Sequence, residues 1–86
     1  QVKHHYQMNK DLAEMNNNRD LLNKLKMQVN HKDQWEQFNN YLDYLLTEQH
    51  RTMEQTDSTT ILHRAQGAVM LLRRLKKLKD EVNNVQ

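Results

Sequence analysis

His50, Glu54 and His63 are the side chains whose types and spacing come nearest to a metal site. Glu54 follows His50 by four residues and would share its side of a helix. His50 and His63 are equidistant from the polar run Thr56-Asp57-Ser58-Thr59-Thr60, so a chain folded back there brings them together. Two imidazoles and a carboxylate could hold zinc. The spacing is nonspecific, however, and no local ligand motif surrounds it, so no metal is assigned. A pH-sensitive histidine pair is a weaker reading of the same residues. Catalysis has less to stand on. Ser58 is the sole serine and sits in a turn without a nucleophile-elbow context. There is no Gly-rich phosphate loop, and no paired carboxylates in a recognisable site. The chain reads as non-enzymatic, with no cofactor.

The sharpest chemical feature is the basic run Arg73, Arg74, Lys76, Lys77 and Lys79. On a helical wheel these residues spread over the side opposite Leu71, Leu75, Leu78 and Val82. A basic amphipathic helix can bind phosphate backbones, an anionic membrane or an acidic partner. A solvated face is the plainer reading, because Asp80-Glu81 follows at once and an acidic segment lies upstream. Residues 1–30 carry a net charge of +2, residues 31–57 a net of −4 and residues 58–86 a net of +4. The membrane reading is set lower, since the apolar side is needed for packing within the chain.

Two amphipathic arms position these residues. Trp35, Phe38, Leu42, Leu45, Gln49 and Met53 step by three and four, with Tyr41, Tyr44 and Leu46 widening the face. Ile61, Ala65, Ala68, Leu72, Leu75, Leu78, Val82 and Val85 do the same beyond the polar run. Asp57 or Ser58 is expected to cap the second arm, and Asp33 with Glu36 has the spacing of a capping box for the first. Folding the arms together places Trp35 against Leu78 and Val82, and Leu42 against Leu71 or Leu72. Ala65, Gly67 and Ala68 lie opposite bulkier residues, which suits Gly67 to close helix packing, with a backbone contact to a partner chain as the alternative. The acidic and basic arms favour the antiparallel arrangement, with Asp33, Glu36 and Asp43 beside the basic run.

Ahead of these arms, Met8, Met15, Leu22 and Val29 recur every seven residues, with Leu12 and Leu25 beside them. This heptad seam packs either on the chain itself or on another chain as a coiled coil, and its methionines suit an adaptable contact. We therefore expect an all-α chain: a long N-terminal helix over 1–30, then an antiparallel helical hairpin over 31–86 with helices at about 33–55 and 59–84. The three helices would pack in coiled-coil fashion.

At 36% hydrophobic residues and a mean hydropathy of −1.11, three such helices have thin apolar stripes and a marginal core. Stability is expected to come partly from a homo-oligomer or a larger assembly. With no Cys there is no disulfide framework, which fits a reducing compartment. No apolar run approaches a membrane span, and the N-terminus has no signal-peptide core. The chain begins with Gln1, as a processed or excised piece of a longer product would.

Trp35 with Tyr41-Leu42, then Gln66-Gly67-Ala68 followed by Leu71-Leu72, Leu75 and Leu78, resembles small helical proteins from the virion-structure modules of tailed phages. There a Trp opens the first helix, and a Gln-Gly or Arg-Gly step precedes a leucine-rich second helix. The resemblance covers about residues 33–82. It implies particle assembly through capsid, portal or packaging proteins, located in the virion or host cytoplasm; without it, the cytoplasm is the expected location. The functional expectation is thus a structural or adaptor subunit acting by helix–helix contacts, with the seam residues Met8, Leu12, Met15, Leu22, Leu25 and Val29 meeting the partner. The alternative is a small nucleic-acid-binding protein using Arg73, Arg74, Lys76, Lys77 and Lys79.

Overall fold

The computed structural model describes residues 17–85, and these are helical with no strand among them. Helix α1 occupies residues 17–23, α2 Lys26–Asn30, α3 Lys32–Gln55, α4 Thr59–Lys76 and α5 Leu78–Asn83. Met8, Leu12 and Met15 lie outside the described residues.

Helix α3 starts at His31, whose backbone is extended (φ −78°, ψ 104°) and whose Nδ1 accepts a hydrogen bond from the Gln34 N–H at 3.3 Å. The expected cap, Asp33, lies inside the first turn, where its carboxylate faces the positive end of the helix dipole. His31 thus takes the role assigned to Asp33, because the break falls two residues earlier. At the far end the chain leaves α3 at Thr56, whose hydroxyl accepts from the Ser58 N–H at 3.1 Å. Ser58 caps α4 by accepting from the Ile61 N–H at 3.2 Å.

Helix α4 packs against α3. His50 and Met53 share a groove with Gln66 and Val69, and further from the turn Lys76 donates to Asp43. Between them lie buried Leu42, Ala65, Val69 and Leu72. Full burial of a leucine side chain contributes roughly 1.5–3 kcal/mol, so this seam is the main source of cohesion for the pair. Val69 replaces Ala68 at its centre. Steps of 65-68-72 and 65-69-72 fit a helix equally well, and only packing decides between them. Gly67 also departs from expectation. It is exposed, and a Cβ placed on it would meet nothing within 4 Å, so close packing within the chain is not its role.

Neither long terminal helix is continuous. The helix expected over 1–30 is interrupted at residues 24–25, where the Leu25 N–H turns back to the Leu22 carbonyl at 3.0 Å in a tighter i→i−3 bond. The helix expected over 59–84 ends at Lys76, and α5 starts afresh after Lys77. Charge explains the second break. Arg73, Arg74 and Lys76 crowd the last turn of α4, where the dipole favours cations, and Asp80 and Glu81 sit in the first turn of α5, where it favours anions. A single helix would forgo both effects and keep repulsive i, i+3 and i, i+4 cations together.

The bend lets α5 meet α2. Val29 and Val82 are 1% and 0% exposed, the most complete burial among the described residues, and Asn30 and Asn83 pair beside them. A pair of packed helices presents two broad sides, and both sides of the α3–α4 pair bear on how the molecule meets others.

Candidate interaction site

Successive residues on a helix are rotated by about 100°. Taking Leu42 and Leu72 as the seam, the two broad sides of the α3–α4 pair can be assigned residue by residue. One side carries Asp43 and His50 of α3 with Gln66, Met70, Arg73 and Lys76 of α4. The Asp43–Lys76 ion pair and the groove shared by His50, Met53, Gln66, Val69, Met70 and Arg73 fix that assignment directly. It is a polar side with one large apolar side chain in the open, Met70.

The opposite side is different. Phe38, Tyr41, Leu45 and Glu48 of α3 come round to it, as do Arg64, Ala68, Leu71 and Leu75 of α4. Phe38 is 40% exposed, Tyr41 58% and Leu71 58%, and Ile61 near the turn is 43% exposed. Leu45, Ala68 and Leu75 are half-buried between them. At the end nearest α2 the strip runs into an open apolar groove of about 260 Å³ lined by Leu25, Val29, Trp35, Phe38 and Leu78. Trp35 and Phe38 stand there with ring centroids 5.7 Å apart. Beyond Tyr41, the ring of Tyr44 stacks on it at 6.0 Å, also exposed. A continuous apolar strip of this kind on a small chain is the usual mark of a protein contact.

Leu71 was the member of this strip hardest to see in the sequence. Its signal is the doublet Leu71-Leu72: two adjacent leucines on a helix cannot both face one seam, so one of them must serve another surface.

The seam residues fall within the chain where they are described. Val29 is buried, and Leu25 is half-buried in the apolar groove. Leu22 is half-buried in a shallow depression with Asn18, Arg19, Asn84 and Val85. Their partners are α3 and α5 of the same molecule, and the side chains turned away are Leu21 and Met27, at 62% and 84% exposure.

The basic run does not form one stripe. Lys76 pairs with Asp43, and Arg74 approaches Glu81 at 3.9 Å. Arg73 borders the polar groove, Lys77 occupies the bend, and Lys79 belongs to α5. Exposed ion pairs of this sort contribute about 0–1 kcal/mol each. Of the histidines, His50 lies in the polar groove and His63 is exposed. Among the described residues no group of three or more His, Asp or Glu side chains is gathered as a metal cage would require. No described helix is long and apolar enough to cross a membrane.

Comparison with protein-family models, curated proteins and solved structures finds no match to this chain.

Proposed function

We propose that the chain is a non-catalytic structural or adaptor subunit that works through helix–helix contacts in a larger assembly. Its antiparallel hairpin of α3 and α4, packed in coiled-coil fashion, is the working element, and α2 with α5 closes the open end. The observation that carries this reading is the strip of Phe38, Tyr41, Ile61 and Leu71, each at least 40% exposed on a molecule whose described core is six residues. Leaving these four side chains in water forgoes several kcal/mol of burial that a contact would recover. The resemblance to virion-structure proteins of tailed phages supplies a setting. In it the subunit joins a particle, through capsid, portal or packaging proteins, in the virion or the host cytoplasm.

A photo-reactive amino acid in place of Tyr41, introduced in the cells that produce the protein, tests the reading. A discrete, light-dependent protein adduct is expected, to another copy or to a different protein. A residue at Tyr41 that yields no protein adduct would overturn it.

Nucleic-acid binding is the competing reading, supported by Arg73, Lys77 and Lys79, which are exposed and make no ion pair among the described residues. It requires an affinity for duplex DNA that falls steeply with salt and with Gln at these positions. The scatter of the basic residues over α4, the bend and α5 favours the assembly reading.

A further inference from the structure

We infer that the Phe38–Tyr41–Leu71 face docks on the same face of a second copy, about a two-fold axis parallel to the helices, so that α3 of each copy lies against α4 of the other. The inference rests on the assembly reading and names the occupant of its exposed strip.

Charge selects both the occupant and the orientation. Helix α3 carries Lys32 and Arg51 against Asp33, Glu36, Asp43, Glu48 and Glu54, a net of −3; α4 carries Arg64, Arg73, Arg74 and Lys76 with no acid, a net of +4. Two such helix pairs can stack face to face about an axis along the helices or across them. The axis across the helices sets α3 on α3 and α4 on α4, like charge on like. The axis along them sets each acidic helix on a basic one. It also makes every neighbouring pair antiparallel, the arrangement of an up-down four-helix bundle. On the strip side itself the charges are Glu48 on α3 and Arg64 on α4, since Asp43, Arg73 and Lys76 lie on the other side. A face with its acid on one helix and its base on the other is self-complementary under this operation, which is what a two-fold contact demands.

Individual charges agree. Arg64 lies on the exposed strip and makes no ion pair among the described residues, while Glu48 on the same side is held only by Arg51 at 3.3 Å. Across the proposed axis Glu48 of one copy and Arg64 of the other come within about one helical turn of the same level, inside the reach of their long side chains. The area is adequate as well. The 24-residue α3 is about 36 Å long and the 18-residue α4 about 27 Å, each about 10 Å wide, giving roughly 600 Å² per copy, the lower end of the range for specific contacts.

Sedimentation equilibrium of the purified 86-residue chain decides the matter. A monomer–dimer equilibrium is expected between about 1 and 200 µM, the range in which a modest interface dissociates. Leu71→Glu should weaken it at least about thirtyfold by placing a charge in the contact, while Met70→Glu on the opposite side leaves it unchanged. Tyr41→Lys repeats the test on α3, and circular dichroism checks that each variant keeps its helix content. Glu48→Arg and Arg64→Glu should each weaken the dimer about three- to tenfold, and the double reversal should restore it.

A wild-type chain that stays monomeric throughout overturns the inference; if Tyr41 nevertheless crosslinks to a different protein, the assembly reading stands without it. Equal damage from Met70→Glu overturns the choice of face. A double reversal no better than the single ones overturns the pairing of α3 with α4.

Discussion

Asn30 and Asn83, 53 residues apart in sequence, hydrogen-bond each other in both directions, each Nδ2 donating to the other's Oδ1 at 2.9 Å. Each adjoins a fully buried valine, Val29 or Val82. The pair thus fixes the register of α2 on α5 while the valines supply the burial. Because the amides are exposed, the pair is worth a typical net hydrogen bond of about 0.5–1.5 kcal/mol. Asn30→Ala and Asn83→Ala should each lower the urea midpoint slightly. The double variant should be less stable than wild type by clearly less than the sum of the singles. Strict additivity would show that the two side chains do not act together.

Val82→Ala should cost far more. It removes two methyl groups from a site with no exposure, at about 0.8 kcal/mol per group, and leaves a void beside Val29, for about 2 kcal/mol in all. Met70→Ala, at a side chain 72% exposed, should change stability by less than about 0.5 kcal/mol. Chemical denaturation compares the two directly. If they prove equal, α5 does not hold α2.

Replacing Ser58 by Ala removes the acceptor for the Ile61 N–H and should cost about 1 kcal/mol, whereas Ser58→Asp should hold stability. The effect belongs to the connection between α3 and α4. Its kinetic signature is read from folding and unfolding rates: slowed refolding in the Ala variant would mean that the turn forms before the arms close.

How far the sequence revealed this molecule depends on which residues are asked. The 3- and 4-residue steps from Trp35 to Met53 mark an amphipathic helix, and α3 spans Lys32–Gln55. Ser58 stands among short polar residues and caps α4, one of the two positions named for that role. The bends at residues 24–25 and at Lys77 were illegible, because neither holds a Gly or Pro. The first is a slight tightening of one hydrogen bond, and the second follows from charges at helix ends that a periodicity count does not weigh. The α2–α5 contact escaped for the same reason: with α4 and α5 read as one straight helix, Val82 was assigned to Trp35 rather than to the joint with α2. The exposed strip was half legible, since Phe38 and Tyr41 lay on a recognised face while Leu71 competed with Leu72 for the seam.

Gly67 separates two views of the small-residue patch on α4. If close packing within the chain required it, any side chain there would clash and destabilise the fold. The structure places it in the open with no atom near a built Cβ and with no positive φ, so an alanine fits without strain. Glycine inside a helix is less favourable than alanine by about 0.8–1.0 kcal/mol, since it has more backbone freedom to lose on folding. Gly67→Ala should therefore raise the stability of the monomer by up to about that amount, seen as a higher urea midpoint with an unchanged slope. The measurement is made well below the concentration at which the chain associates, so that only the fold is read. A fall in the midpoint there would mean that α4 packs through Gly67 after all. A rise at low concentration, with weaker association at high concentration, would place the glycine at the edge of the contact between copies.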